Sequence, residues 1–300
     1  MTPANNDAIL ERVRFEVPVA REINDLGYCA VDMHFHTNHS DSRTTVRAAL
    51  SSAKRKGIGL AITDHNTIGG VLEAQKLAPS GVMVVPGVEV SAADGPHILL
   101  FFYSLDELQE FYLRELEEKK GESPYLATTL STLDILDVTE DYNCIRAAAH
   151  PYGYFVFNRG IAKCIEKDYF DEGVISRFEA IEVLCGGMTR AGNLKAANLA
   201  LVHERGVVGG TDGHLLWDLG AVLTCASSQG IEEFLDDIVD QRSFVVGREK
   251  NTVDKGVMGM MVLSRYLRYT VPSLAVHFRQ NAPRIRRFME RQISGKKKAR

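Results

Sequence analysis

Short apolar runs alternate with helical patterns along most of the chain. The runs that predict strands are Tyr28–Met33, Ile58–Thr63, Val82–Val90, His97–Tyr103, Cys144–Ala149, Ala180–Cys185, Val207–Gly210, Ala221–Ala226 and Phe244–Gly247. Apolar residues recur at helical spacing between many of them, over Thr44–Lys56, Ile68–Leu77, Asn193–Arg205 and Ile231–Gln241. Gly57 and Gly206 are typical of the residues that end such helices. This alternation favours an α/β fold, either a barrel or a doubly wound sheet.

Three segments fall outside the alternation and divide the chain. The body is expected over residues 28–250, after a polar lead-in over residues 1–27. Within the body, residues 104–142 predict an acidic helical insertion, and residues 251–300 predict a basic, apolar helical extension.

Charge is distributed unevenly along the chain, although the net charge is only −4. The segment Met258–Arg300 carries eleven basic side chains against one acidic side chain, whereas Ser104–Tyr142 carries eleven acidic and three basic ones. The acidic body excludes a uniformly basic protein that coats nucleic acid, but it leaves a basic C-terminal surface open. We expect the C-terminal helices to break at Pro272 and Pro283.

The composition is that of a globular enzyme, with 45% hydrophobic and 25% charged residues. No run approaches the roughly 18 apolar residues of a membrane span, and the N-terminus has no signal-peptide pattern, so we expect a cytoplasmic protein without a transmembrane segment. The five cysteines include no CxxC pair, which indicates neither a disulfide framework nor a thiolate zinc site. Among the five cysteines, only Cys185 has sequence neighbours that are expected near the candidate site described below.

Imidazoles and carboxylates collect at the ends of the predicted strands, in VDMHFHT, TDH, PGVEV, AAAHPYG and GGTDGH. Together with the Asp that follows the first motif and the His that opens the fourth strand, they are His34, His36, Asp41, His65, Glu89, His97, His150, Asp212 and His214. A single His at a strand end is usually a packing residue, but this accumulation at the edge where β/α folds build their sites is hard to explain by chance. These donors suit Zn, Mn, Fe or Co, and nine of them exceed the needs of one ion, so two or three metals are predicted.

These motifs resemble the PHP (polymerase and histidinol phosphatase) superfamily. The matching features are HxH with an Asp five residues later, TDH, PGxE, HP and a final DxH, between about Ala30 and Arg248. The resemblance implies a distorted (β/α)7 barrel, two or three divalent ions (Mn, Zn or Fe), hydrolysis of phosphate esters, and all nine residues above as metal ligands. The chain departs from the family in reading SDSR after His39 where many members read SDG, and in placing His97 at the start of a strand.

Further residues are expected around the metals. The ions lower the pKa of bound water and so supply metal-bound hydroxide, which removes the need for a Ser or Cys nucleophile. Asp32 and Asp64 adjoin ligand His residues and are predicted to orient their imidazoles; Asp64 could also protonate the leaving group. The cations predicted to contact a substrate phosphate are Arg43, Arg159, Arg190 and Lys195.

The leading hypothesis is therefore a phosphoesterase acting on a small phosphomonoester such as a nucleotide, a sugar phosphate or an amino-alcohol phosphate. A 5′–3′ exonuclease or oligonucleotide-trimming phosphodiesterase is the alternative, because the basic C-terminal segment suits a short nucleic acid. A catalytically idle PHP scaffold is less favoured because no ligand is missing. An amidohydrolase-type barrel also begins with HxH, but it would be expected to end on a lone Asp. The apolar C-terminal helices suggest packing on the barrel or in a homo-oligomer, and membrane association is a further interpretation.

Overall fold

A computed structural model of the chain describes residues 9, 11–153 and 160–282. In these residues ten strands form one sheet: β1 (Val13–Arg14), β2 (Cys29–Phe35), β3 (Gly59–Ile62), β4 (Val84–Ser91), β5 (His97–Phe102), β6 (Cys144–Ala148), β7 (Ala180–Cys185), β8 (Gly206–Gly210), β9 (Val222–Ala226) and β10 (Phe244–Gly247). Every strand predicted from the sequence is present.

The α-helices of the described residues are α1 (Ala20–Asp25), α2 (Val46–Lys56), α3 (Gly69–Leu77), α4 (Leu105–Phe111), α5 (Thr132–Val138), α6 (Ile161–Ile165), α7 (Arg190–Val202), α8 (Ile231–Val239), α9 (Thr252–Tyr266) and α10 (270–282). A π turn over Tyr112–Leu116 extends α4, and short 3₁₀ turns occupy Glu117–Lys119, Thr139–Asp141, Glu172–Arg177 and Leu267–Tyr269.

The sheet is mostly parallel and runs in the order β1-β10-β9-β2-β3-β4-β5-β6-β7-β8. Only β5 and β9 run against the other strands of this described sheet. Its last strand, β8, returns to β9, where the Gly209 N–H donates to the Thr224 hydroxyl over 2.8 Å. The loop after β8 returns to β2, where the His36 N–H donates to the Gly213 carbonyl over 2.9 Å. The sheet therefore curls into a distorted α/β barrel, as the resemblance implies, and not into an open doubly wound sheet.

Closure of the barrel depends on a glycine. A Cβ at Gly210 would overlap the backbone of His34, so only glycine lets β8 approach β2 this closely. Inside the ring, Val85, Leu99 and Ala180 belong to an apolar cluster that draws on most of the strands and on α8. A second and larger apolar cluster packs the outer helices against the sheet. The barrel thus has an apolar interior, and α8 contributes to it.

Local sequence explains the ends of α2. The Thr45 side chain accepts a hydrogen bond from the Ala48 N–H at its start, and Gly57 leaves the helix in the left-handed conformation with φ 67°. The equivalent expectation for Gly206 was wrong. Helix α7 ends earlier, Glu204 takes the left-handed conformation with φ 51°, and Gly206 opens β8.

Segments outside the alternation also take defined places. Within the lead-in, β1 pairs with β10 and extends the sheet by one short strand. The acidic segment forms α4, α5 and their turns between β5 and β6. The break between the C-terminal helices falls at the turn Leu267–Tyr269, before Pro272, which lies in the first turn of α10, where its missing N–H costs nothing. Pro283 lies outside the described residues. Of the helices that the structure describes, none has the length and apolarity needed to cross a membrane.

Candidate metal centre

One edge of the barrel collects all nine residues predicted as metal ligands. Six lie in or just after the parallel strands β2, β3, β4 and β6, and two follow β8, because carboxyl ends of parallel strands meet at one edge. His97 comes from β5, which runs in the opposite direction, so the first residue of that strand lies at the same edge. The position of His97 at a strand start, which departs from the sequence pattern, is thereby explained.

Glu89 is the centre of the cluster. Its carboxylate oxygens lie within 3.4 Å of nitrogens on five imidazoles, those of His34, His36, His65, His97 and His150. Burial would raise the pKa of Glu89, but these imidazoles hold it well below its usual range. Glu89 is therefore a carboxylate, placed where it can bridge metal ions.

The remaining donors complete a second part of the cluster. Asp41 lies 3.1 Å from His214 Nε2 and 3.6 Å from His65 Nε2, and Asp212 lies 3.3 Å from His36 Nε2. Burial and the surrounding carboxylates act in opposite directions on His214, and the carboxylate of Asp41 raises its pKa to about 9.

The geometry fits divalent cations. Three groups have donor atoms within 4.8 Å of one another: His36, Asp41, His65 and His214; His34, His36 and Glu89; and His65, Glu89 and His97. The Nε2 atoms of His34 and His36 face each other at 3.1 Å, an arrangement that a shared cation satisfies because it accepts both lone pairs. All members of these groups are buried. Buried charged groups in proteins are paired or coordinate metals, so the burial is consistent with a metal site.

Glu182 is a partner of the cluster that sequence reasoning missed. This fully buried residue of β7 accepts from His34 Nδ1 over 2.9 Å and from the His150 N–H over 2.5 Å. It thereby orients one imidazole and fixes the turn that carries another. The signal was a lone acid in the apolar run AIEVLC, where an unpaired charge would be costly.

Asp32 and Asp64 stand beside the cluster in other roles than those predicted. Asp32 accepts from the N–H and hydroxyl of Thr211 and from the Gly220 N–H, and burial raises its pKa to about 6. Asp64 accepts from the N–H and hydroxyl of Thr37 and from the Ser40 hydroxyl. In the described residues neither contacts a ligand imidazole, because backbone and hydroxyl donors reach them first. They brace the loops that carry the ligands.

Helices α9 and α10 form a roof above the ligands. The Arg265 guanidinium donates to the carbonyls of Asn38 and Ser40, over 3.1 and 2.9 Å, and the Tyr266 hydroxyl lies 3.5 Å from Asp41. On the other side, the Ser273 and Ser123 hydroxyls are 3.0 Å apart. Between roof and ligands lies a cavity of 710 Å³. Within this chain, residues 251–282 of the C-terminal extension pack on the barrel, one of the interpretations that the sequence left open.

Three of the four cations predicted to contact substrate lie outside the cavity lining. Arg190 is paired with Glu249 at 2.6 Å, Lys195 with Glu166 at 2.8 Å, and Arg43 donates to Ser264 on α9. None of these three is among the residues that line the cavity, and Arg159 lies outside the described residues. Long side chains at the surface find nearer carboxylates, and sequence proximity to a ligand does not decide where they point.

Lys255 supplies a positive charge at the cavity instead. It lies on α9, lines the cavity, and donates to the Met188 carbonyl over 2.8 Å. Burial lowers its pKa, because the charged form loses hydration there. Lys255 could not be predicted from the sequence, because it lies far along the chain from most ligand motifs. Only the folding of α9 over the barrel brings it to the cavity.

Cys185 and His277 also border the cavity. The Cys185 sulfur lies 3.9 Å from an Asp212 oxygen, and burial raises the pKa of its thiol well above the usual value. It therefore stays a neutral thiol. His39 and His203 lie apart from the cluster, where they pair with Glu73 and Glu172.

Comparison with known proteins supplies a family. The PHP domain model matches residues 32–199, more than half of the chain. An uncharacterized protein of Methanocaldococcus jannaschii is 43% identical over a match that covers 23% of this chain and 48% of that protein. A 3′,5′-nucleoside bisphosphate phosphatase of Chromobacterium violaceum is 39% identical over 22% of this chain and 24% of that protein. This chain thus matches about half or less of the length of these relatives.

A solved structure extends the similarity to most of the barrel. The lesion-specific endonuclease of Pyrococcus furiosus superimposes with a TM-score of 0.57 and 16% identity, over 73% of this chain and 57% of that one. At 16% identity, this similarity shows that the two chains share a fold and nothing more about function.

Proposed function

The chain belongs to the PHP domain family, and on that premise we propose that it is a metal-dependent phosphoesterase acting on a small phosphomonoester. The substrate is a nucleotide, a sugar phosphate or an amino-alcohol phosphate. One observation carries this proposal: the nine predicted ligands cluster beneath a cavity of 710 Å³ that α9 and α10 cover, and six of them line it. This volume is in the range of about 300–1,000 Å³ that small-molecule sites occupy.

Two or three divalent ions, of Mn, Zn or Fe, would be held by His34, His36, Asp41, His65, Glu89, His97, His150, Asp212 and His214. When bound, such ions make hydroxide available near neutral pH and neutralise the charge of the phosphoryl oxygens. Glu182 holds the His34 ring through Nδ1, which leaves Nε2 directed at the cluster. The idle-scaffold interpretation is disfavoured, because a module without a metal would leave five imidazoles crowded around one buried carboxylate.

Residues of the roof would bind the substrate and exclude water. Lys255 lines the cavity, and its ammonium group suits a phosphoryl or carboxylate oxygen. The cover formed by α9 and α10 limits the access of bulk solvent to the site, which strengthens these electrostatic contacts.

A nuclease is the second candidate. It is favoured by the basic side chains of Met258–Arg300 and by the fold shared with a lesion-specific endonuclease. The roof opposes it: a strand crossing the ligand cluster would have to displace α9 or α10, and with them the contacts of Arg265 and Ser273. A small ester needs no such opening.

The test is product release by manganese-loaded protein from mononucleotides, small phosphomonoesters and 5′-phosphorylated oligonucleotides. We expect phosphate from the monomeric esters and none when Asp212→Asn replaces the wild type. Asp240→Asn, an exposed substitution of the same kind, should leave turnover unchanged. Shortening of oligonucleotides without hydrolysis of the monomeric esters would establish the nuclease in place of the phosphatase.

A further inference from the structure

The cavity has walls of two kinds. Its floor is the ligand cluster, whereas the roof and the facing wall contribute Leu126, Met188, Met258, Val262, Leu263 and Leu267. A phosphoryl group bound at the floor would fill only a small part of the cavity volume of 710 Å³. The rest of the volume therefore receives the alcohol portion of the ester, and the chemistry of the walls decides which alcohol fits.

Three hydroxyls on these walls are already bonded within the protein. The Thr270 hydroxyl donates to the Leu267 carbonyl over 2.6 Å, and the Ser273 hydroxyl pairs with that of Ser123. The Thr189 hydroxyl accepts from the Gly192 N–H at the start of α7. A polyhydroxylated alcohol would have to compete for these groups, and hydroxyls placed against leucine and methionine would lose hydration without replacement.

Apolar side chains continue from the cavity to its mouth. Leu263, Leu267 and Leu274 line the cavity and are nevertheless 57%, 68% and 63% exposed. Single exposed leucines are ordinary, but three around one opening form a patch, and such patches mark binding sites. The patch is continuous with the site, so one molecule that reaches the ligands can also cover the leucines.

We propose that the phosphomonoester carries an apolar chain or ring, which lies against Val262, Leu263 and Leu267 while its phosphoryl group faces the ligand cluster. This inference rests on the proposed phosphomonoesterase activity and assigns its substrate to the amphiphilic phosphates, which places sugar phosphates and amino-alcohol phosphates behind esters with an apolar chain or ring. Helices α9 and α10 are then the specificity element of the enzyme, and the rim leucines are exposed because the tail leaves the cavity between them.

Straight-chain alkyl phosphates from methyl to octyl test the proposal with manganese-loaded protein. Burial of one methylene is worth about fourfold in an equilibrium constant, and half-burial about twofold, so kcat/KM should rise about two- to fourfold per carbon. The non-hydrolysable alkylphosphonates should bind with dissociation constants that fall by the same factor, measured by calorimetry. Glucose and glycerol phosphates should be poorer substrates than the octyl ester.

A matched pair of variants locates the effect. Leu267→Ser removes an apolar side chain of the mouth, whereas Met260→Ser removes an equally exposed one, at 68% and 67%, which is not among the cavity-lining residues. Leu267→Ser should reduce the preference for octyl over methyl phosphate about tenfold, and Met260→Ser should leave it unchanged. If both variants lost the preference for octyl phosphate equally, the proposal would be overturned, because the preference would then arise from the outer surface of the helices and not from the cavity.

The possible outcomes distinguish a failure of this inference from a failure of the proposed function on which it rests. Hydrolysis of methyl phosphate with no gain along the series would overturn the apolar subsite and leave the phosphatase standing. Phosphonate affinity that rises with chain length, without turnover of any ester, would support the subsite and refute the proposed function. Affinity and turnover that both ignore chain length would remove the inference altogether.

Discussion

Replacement of Glu182 by glutamine should weaken metal binding without unfolding the protein. Glu182 is fully buried and accepts two hydrogen bonds, from His34 Nδ1 at 2.9 Å and from the His150 N–H at 2.5 Å. A carboxylate acceptor is worth about 1.5–3 kcal/mol and a neutral one about 0.5–1.5 kcal/mol, so each bond loses about 1–2 kcal/mol. The Glu182 charge also raises the basicity of His34, so its removal should weaken the bond between His34 and a metal ion. We therefore expect dissociation constants for the metal about 10- to 100-fold higher.

Competition with a chromophoric chelator measures this effect, with Mn and Zn titrated separately. Glu179→Gln is the matched control, because Glu179 lies three residues away and pairs with Arg146 at a distance from the ligands. It should change the dissociation constants less than about twofold. If Glu182→Gln bound metal as tightly as the wild type, with its circular dichroism unchanged, the argument that Glu182 supports His34 would be refuted.

Three further predictions concern the site. His34→Ala should abolish turnover in the panel assay while the far-UV circular dichroism stays that of a folded barrel; near wild-type activity would mean that the cluster is not catalytic. Removal of metal with a chelator should lower the melting temperature by at least about 4 °C, since an ion at 100 times its dissociation constant contributes about 2.7 kcal/mol; an unchanged melting temperature would contradict a resident metal. Lys255→Met should raise KM for phosphate esters more than Lys255→Arg. Because burial lowers the Lys255 pKa, the wild type should lose affinity as the pH rises towards 10, whereas the arginine variant should not, and identical pH profiles would exclude Lys255 from substrate binding.

Strand positions and ligand types could be read from the sequence because both depend on neighbours along the chain. The alternation of apolar runs located β2, β3 and β4, and the histidines and carboxylates at their ends indicated metal chemistry. The prediction that His97 opens a strand was confirmed, but the sequence could not show why that places His97 beside the other predicted ligands, because the direction of β5 is set by its pairing with β4 and β6.

Side chains that act across long distances in sequence could not be found in the same way. Arg190 and Lys195 were predicted to contact a substrate phosphate from their positions after a strand, yet each lies against a nearer carboxylate. Lys255 and Tyr266 enter the site only because α9 folds back over it. No periodicity in the C-terminal segment specifies which surface its apolar face will cover.

The sequence by itself determined the α/β class and predicted nine ligands whose donor chemistry suits divalent metals, because hydrophobic period and donor chemistry are properties of short segments. The tertiary structure decided the closure of the barrel at Gly210, the reversed strand that carries His97, and the roof that turns an open edge into a cavity. These features depend on contacts between residues far apart in the chain. Their free energies are sums over many small packing terms, so no local pattern reveals them.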